Sequence, residues 1–180
     1  MKKKLIRENF KQNLRALNVL EHSVLMQKMV REVTALPVWQ QAKVIGLSMA
    51  QPDELPTQLL IQTALLQDKR VGLPRVAANR QMDFIEIDTT TEYVQHRFGM
   101  LEPLGTKIIA PAEFDLMVVP GLGFATDGQR LGFGGGYYDR YLPQTATMKI
   151  GVTIKTNFVA SGTWLIEPTD IAMDTVIVLD

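Results

Sequence analysis

Seven of the 13 glycines in this 180-residue chain, Gly121, Gly123, Gly128, Gly132, Gly134, Gly135 and Gly136, fall between residues 121 and 136. Glycine accepts positive φ and lets a ligand approach the main chain, so successive N–H groups can face one concavity and hold phosphate oxygens. A helix beginning near Gly136 would add its positive end. A glycine-rich segment also serves as a plain turn. Here, however, Arg130 lies inside it, and Tyr137, Tyr138, Asp139, Arg140 and Tyr141 follow at once, side chains that a linker seldom carries. Neither common nucleotide fingerprint is present. No glycine is followed by lysine, and the spacing of Gly132, Gly134 and Tyr137 breaks the G-x-G-x-x-G pattern.

Other side chains with chemistry to offer are few. Glu54 follows the first strand-like run, where ligand loops of α/β sheets gather, although a surface carboxylate would also sit there. Lys3, Lys4 and Arg7 read, taken alone, as the solvated start of a helix. Met49 and Phe133 suit a core as well as a ligand wall. The two histidines, His22 and His96, lack metal-site spacing, and the absence of cysteine excludes disulfides, thiolate nucleophiles and Cys-ligated zinc. Ser23, Ser48 and Ser161 have no nucleophile-elbow context. Nineteen Lys and Arg balance nineteen Asp and Glu, so no overall field favours nucleic acid or a membrane, and no RNA-binding motif is present. No apolar run approaches the roughly 20 residues that span a bilayer. A soluble, cytoplasmic protein is expected.

The elements that must carry these residues follow from periodicity. With 46% apolar and 21% charged residues, the chain has enough apolar sequence for one domain over residues 1–180. Ile6, Phe10, Leu14 and Leu17 recur at helical spacing from Lys2 onward. Asn18 and Glu21 form a capping-box pattern for a second helix, carried by Val24, Met26 to Met29 and Val33 and ended by Pro37. Short apolar runs then predict strands at Val44 to Met49, Val71 to Leu73, Met82 to Ile87, Leu116 to Val119, Ile150 to Ile154 and Val176 to Leu179. A crossover helix is predicted over Leu55 to Gln67. The alternation argues for an α/β layered fold with a mainly parallel central sheet flanked by helices, two of which precede the first strand.

The stretch VVPGLGFATDGQRLGFGGGYYDRYL, Val118 to Leu142, closely resembles the signature of the 5-formyltetrahydrofolate cyclo-ligase family, also called methenyltetrahydrofolate synthetases. KKKLIR at Lys2 to Arg7, Glu54 with Thr57, LPRV at Leu73 to Val76, FGMLEP at Phe98 to Pro103, and Asp170 with Asp174 extend the resemblance in family order. It implies an α/β enzyme that uses ATP and Mg²⁺ to convert 5-formyltetrahydrofolate into 5,10-methenyltetrahydrofolate, with release of ADP and phosphate. Phosphorylation of the formyl oxygen would create a leaving group, and ring closure would follow. Such a transfer asks mainly for positioning and charge neutralisation.

The resemblance also implies roles. Lys3, Lys4, Arg7, Arg130, Gly132, Gly134, Gly135, Gly136, Tyr137 and Tyr138 would hold ATP. Arg7, Met49, Glu54, Phe133 and Tyr137 would contact the folate, and Arg130 and Tyr137 would serve catalysis. Asp139 and Asp174 would hold Mg²⁺. Asp139, three residues beyond Gly136, would otherwise repel the phosphates, and Mg²⁺ needs only one or two carboxylates beside waters and phosphate oxygens. Three positions depart from the family pattern: Ala125 where Asp is usual, Asn157 in place of Gln, and Thr169 before Asp170 in place of His. A folate- or nucleotide-binding relative without turnover is the alternative these departures suggest.

Overall fold

The computed structural model describes residues 2–95 and 99–180, so His96 and the first residue of the FGMLEP motif lie outside the described residues. Helix α1 (Lys3–Arg15) buries Ile6, Phe10 and Leu14, the stripe that a four-residue spacing puts on one helical face. Helix α2 (Val19–Thr34) buries Leu25, Met29 and Val33 and leaves Val24 outward. Its capping box is complete: Asn18 Oδ1 accepts from the Glu21 N–H at 3.0 Å, and the Glu21 carboxylate accepts from the Asn18 N–H at 2.7 Å. Pro37, expected to end this helix, instead opens a third, α3 (Pro37–Gln41). Proline suits a first helical position because that N–H has no intrahelical partner. Three helices therefore precede the first strand.

The chain continues with β1 (Val44–Gly46), α4 (Gln58–Leu66), β2 (Arg70–Val76), β3 (Met82–Ile87), β4 (Glu92–Gln95), β5 (Leu101–Leu104) and β6 (Ile108–Ile109). It closes with β7 (Leu116–Val118), β8 (Gly123–Ala125), β9 (Arg130–Leu131), α5 (Tyr137–Tyr141), β10 (Met148–Ile154), β11 (Phe158–Val159) and β12 (Thr175–Leu179). Seven strands form the main sheet in the order β12-β10-β7-β1-β2-β3-β6. Pairing is parallel from β12 to β2 and antiparallel at β3 and β6. The mainly parallel α/β sheet expected from the sequence is thus present, with an antiparallel margin. The hairpin of β4 and β5 and the three-stranded β11-β8-β9 sheet had no clear apolar run to announce them.

Strand β7 shows why the central runs are continuously apolar. Leu116 and Val118 join the core beneath α1, α2 and α4, while Met117 and Val119 join a second core with Phe84, Phe114 and Tyr141. Both faces of the sheet are covered, so alternate residues have no polar side to face. The predicted run Val44 to Met49 stops as a strand at Gly46; Leu47 still donates to the Gly72 carbonyl at 3.0 Å, and the residues beyond it leave the ladder. The Thr57 hydroxyl donates to the Ser48 carbonyl at 2.6 Å and accepts from the Ala50 N–H at 3.0 Å. This stitch holds the loop between β1 and α4, and it delays α4 from the expected Leu55 to Gln58. Among the described residues no helix is long and apolar enough to cross a membrane.

Helix α1 packs closely on β8. A Cβ on Gly123 would lie 2.3 Å from the Phe10 ring and 2.5 Å from the Asn157 carbonyl. Asn157 is fully buried and donates to the Phe10 carbonyl at 3.1 Å and the Leu122 carbonyl at 2.7 Å, while its Oδ1 accepts from Asn13 at 2.8 Å. This departure from the family pattern is therefore a clamp between α1, the β7–β8 loop and the segment after β10. Asn157→Ala leaves buried polar groups unpaired and is expected to lower the unfolding free energy by about 2–4 kcal/mol. Urea denaturation with an unchanged slope is the check.

Candidate active site

A cavity of about 490 Å³ opens where the loops beyond β1 and β7 meet the end of β2, the usual ligand position of an open α/β sheet. Helix α1 contributes Lys3 and Arg7, and the loop after β1 contributes Ser48, Met49, Gln51 and Glu54. Pro74, Val76, Met82, Met100, Leu101 and Glu102 form a largely apolar side. Opposite them stand Pro120, Arg130 to Asp139, and Asp170. The structure thus brings together Arg7, Met49, Glu54, Arg130, Phe133, Tyr137, Tyr138 and the four glycines Gly132, Gly134, Gly135 and Gly136.

The glycine cluster divides by role. Gly123 serves packing, and a Cβ on Gly128 would lie 2.3 Å from the Met173 carbonyl. The four later glycines form the cavity wall. Gly134 and Gly136 have φ of +98° and +69°, values a larger residue adopts only with strain. The Gly134 Cβ direction faces the Arg7 guanidinium at 3.5 Å. Helix α5, expected to add a positive helix end, has only five residues. Its macrodipole is correspondingly short.

The cations are already engaged. Lys3 Nζ donates to Asp170 Oδ2 at 2.7 Å, and Arg7 Nε donates to the Gly132 carbonyl at 2.8 Å. Lys3 and Arg7 are one helical turn apart and face the cavity together, whereas Lys4, on another face of α1, is exposed and does not line it. The buried Arg130 guanidinium donates to the Pro120 carbonyl at 3.1 Å and to Asp139 Oδ1 at 2.7 Å, and it lies over the Tyr138 ring at 5.5 Å. Burial pushes the Asp170 carboxyl up, but the Glu167 N–H and Lys3 outweigh it, so the net direction is down.

The second expected magnesium carboxylate, Asp174, does not line the cavity. It stands just before β12, where it accepts from the Lys149 N–H at 2.7 Å and pairs with Lys149 Nζ at 3.2 Å. The parallel register of β10 and β12 fixes that position, which no local sequence signal announces. Among the described residues no group of three or more His, Asp or Glu is placed to hold a metal ion. Asp139 remains a hard oxygen donor beside the glycine wall, suited to a cation brought in with phosphates.

Glu54 is 9% exposed, and its Oε2 accepts from the Gln51 N–H at 2.8 Å. Burial pushes its carboxyl up to about 7, against the opposing pull of that N–H and of Arg130. Burial likewise raises the Tyr138 phenol, reinforced by the charge of Glu54. The Tyr138 hydroxyl is enclosed, with the Ser48 side chain beside it, although part of the residue remains accessible. Sequence reasoning missed Gln51, Met82 and Glu102 and left Asp170 without a role. The LPRV and FGMLEP segments were the available signals for the apolar side.

The model of the 5-formyltetrahydrofolate cyclo-ligase family matches residues 1–179. The chain belongs to the 5-formyltetrahydrofolate cyclo-ligase family. The mouse 5-formyltetrahydrofolate cyclo-ligase is 31% identical over 153 residues, covering 78% of this chain and 73% of the mouse protein. The Mycoplasma pneumoniae structure described as a 5,10-methenyltetrahydrofolate synthetase aligns with a TM-score of 0.79 at 28% identity, over 98% of both chains. The synthetase of that name from Aquifex aeolicus aligns with a TM-score of 0.86 at 26% identity, over 99% of this chain and 90% of its own. The enzyme class and fold expected from the central loop are those of these cyclo-ligases.

Glu54 yields a test on stability alone. Its carboxyl moves from the ordinary 4.5 to about 7 on folding, so the native state binds the proton more tightly. The stabilisation from that proton is complete below about pH 4.5 and is lost as pH rises through about 7. Between pH 5 and 8 the Glu54→Gln variant should gain roughly 2–3 kcal/mol relative to the parent protein. Paired urea titrations at the two pH values measure the difference.

Proposed function

We propose that the chain converts 5-formyltetrahydrofolate into 5,10-methenyltetrahydrofolate, consuming ATP with Mg²⁺ and releasing ADP and phosphate. One observation carries the reading: a single cavity of about 490 Å³ joins a glycine-lined cationic side to an apolar side holding Met49, Met82 and a buried carboxylate. The first suits a polyphosphate and the second a flat ring system. Their contact in one space is what phosphoryl transfer between two small molecules requires.

The formyl carbon is a poor electrophile because its nitrogen donates into the carbonyl, and its oxygen is a poor leaving group. Transfer of the γ-phosphoryl group to that oxygen cures both defects. The neighbouring amine nitrogen then closes the five-membered ring, giving up its proton as phosphate departs. Arg130, already oriented by Pro120 and Asp139, would neutralise the transferring group. Lys3, Arg7 and the N–H groups of Gly132, Gly134, Gly135 and Gly136 would hold the nucleotide, with the Tyr137 and Tyr138 rings beside them. Phe133 and Tyr137 would bound the folate. In its ionised form Glu54 would favour the cationic amidine product. Mg²⁺, held by Asp139 and phosphate oxygens, would supply charge neutralisation.

The departures at Ala125, Asn157 and Thr169 all lie outside the cavity lining. They therefore supply no argument at the site for a relative without turnover.

Omission of ATP, Mg²⁺ or the 5-formyl isomer should each abolish the near-ultraviolet absorption of the methenyl cation; product without nucleotide overturns the reading. Arg130→Ala is expected to slow turnover by about 10²–10³-fold while weakening ADP binding much less, as turnover and calorimetry would show. Asp139→Asn should raise the Mg²⁺ concentration for half-maximal rate by about 10-fold or more. Asp174→Asn should leave that titration unchanged.

A further inference from the structure

Glu102 is a second buried carboxylate of the cavity, and the chemistry above does not use it. It comes from β5, is 8% exposed, and lies on the apolar side with Val76, Met82 and Leu101. Its Oε1 accepts from the Val76 N–H at 3.1 Å. Among the described residues it makes no ion pair. An ionised carboxylate has about four acceptor positions, and one backbone donor uses one of them. A ring filling this side displaces the water that serves the others, so it must bring N–H donors or leave a charge unsatisfied.

The sheet order separates this carboxylate from the phosphoryl-transfer machinery. Val76, its anchor, ends β2, whereas Pro120, whose carbonyl accepts from Arg130, lies just beyond β7, two places away in the sheet. That is about 10 Å at ordinary strand spacing. Glu54, on the loop after β1, lies between them and within reach of the charge of Arg130. A fused pteridine has a matching polarity. Its reacting nitrogen is on one ring, and its adjacent amide N–H and 2-amino group, two donors side by side, are on the far edge of the other.

We propose that Glu102 is a specificity-determining residue that accepts the paired N–H donors of the 2-amino-4-oxo edge of the folate. The proposal rests on the substrate assignment made above. It makes the cavity select the pteridine edge at one end and act on the formyl group at the other. Two adjacent donors meeting one carboxylate make a bidentate, charge-assisted contact, and a site built on such a contact rejects an analogue that lacks it.

The test compares 5-formyltetrahydrofolate with its 2-desamino-2-methyl analogue by titration calorimetry, on the parent protein and on Glu102→Gln. The glutamine oxygen can still accept from the Val76 N–H, so the tie between β5 and β2 is kept. The parent protein should bind the analogue about 10- to 100-fold more weakly. Glu102→Gln should weaken 5-formyltetrahydrofolate by a similar factor and the analogue by much less, with the KM for ATP and the unfolding midpoint unchanged. Equal affinity of the parent protein for both ligands, or undiminished folate affinity in the variant, overturns the proposal. A fall in the midpoint with parallel weakening of ATP and folate makes Glu102 a hairpin tie and overturns it too. Absence of turnover by the parent protein would instead strike the functional reading, and this proposal would fall with it.

Discussion

The contact between α1 and β8 decides whether the cavity has a cationic wall. Phe10 and the Asn157 carbonyl occupy the space where a side chain at residue 123 would stand, so the helix lies against the strand. Lys3 and Arg7 are on the same helix, about two turns and one turn before that contact. Docking the helix therefore places their side chains at the glycine loop. Asn157 fixes the arrangement by joining the Phe10 and Leu122 carbonyls. The same clamp that stabilises the fold thus assembles part of the site, and a loose helix would leave the cradle open on one side.

Within the cavity, positive and negative groups are matched before any ligand arrives. Lys3 meets Asp170, and Arg130 meets Asp139. Such partly buried pairs add little net stability because desolvation offsets attraction. Their value is geometric: Arg130 is held at two points and stacked on Tyr138, so its guanidinium is fixed beside the glycine wall. The acids also keep the cationic wall from repelling itself. Glu54 differs, since its burial leaves the carboxyl near neutrality at about 7. Its charge is sensitive to the charges a ligand introduces beside it.

Much of the fold was legible because its causes are local. The 3.6-residue stripe of α1, the Asn18–Glu21 cap and the apolar runs of β3, β7 and β10 are set by neighbours along the chain. Pro37 shows the limit: its missing N–H serves the start of one helix as readily as the end of another. The β4–β5 hairpin was invisible for a different reason. Half-exposed strands with polar residues carry weak periodicity, yet this one delivers Glu102 to the cavity.

The sequence by itself determined the family, the order of the first two helices and of the central apolar strands, and the glycine-rich loop with Arg130, Tyr137 and Asp139, because these are properties of residues close together in the chain. Only the tertiary structure decided that Lys3 and Arg7 face the loop while Lys4 faces away. It likewise brought Asp170 and Glu102 into the cavity and kept Asp174 beside Lys149. Those placements depend on helix docking and on strand register, which are settled by packing between segments far apart in the chain. A carboxylate's sequence context does not record which side of that packing it will occupy.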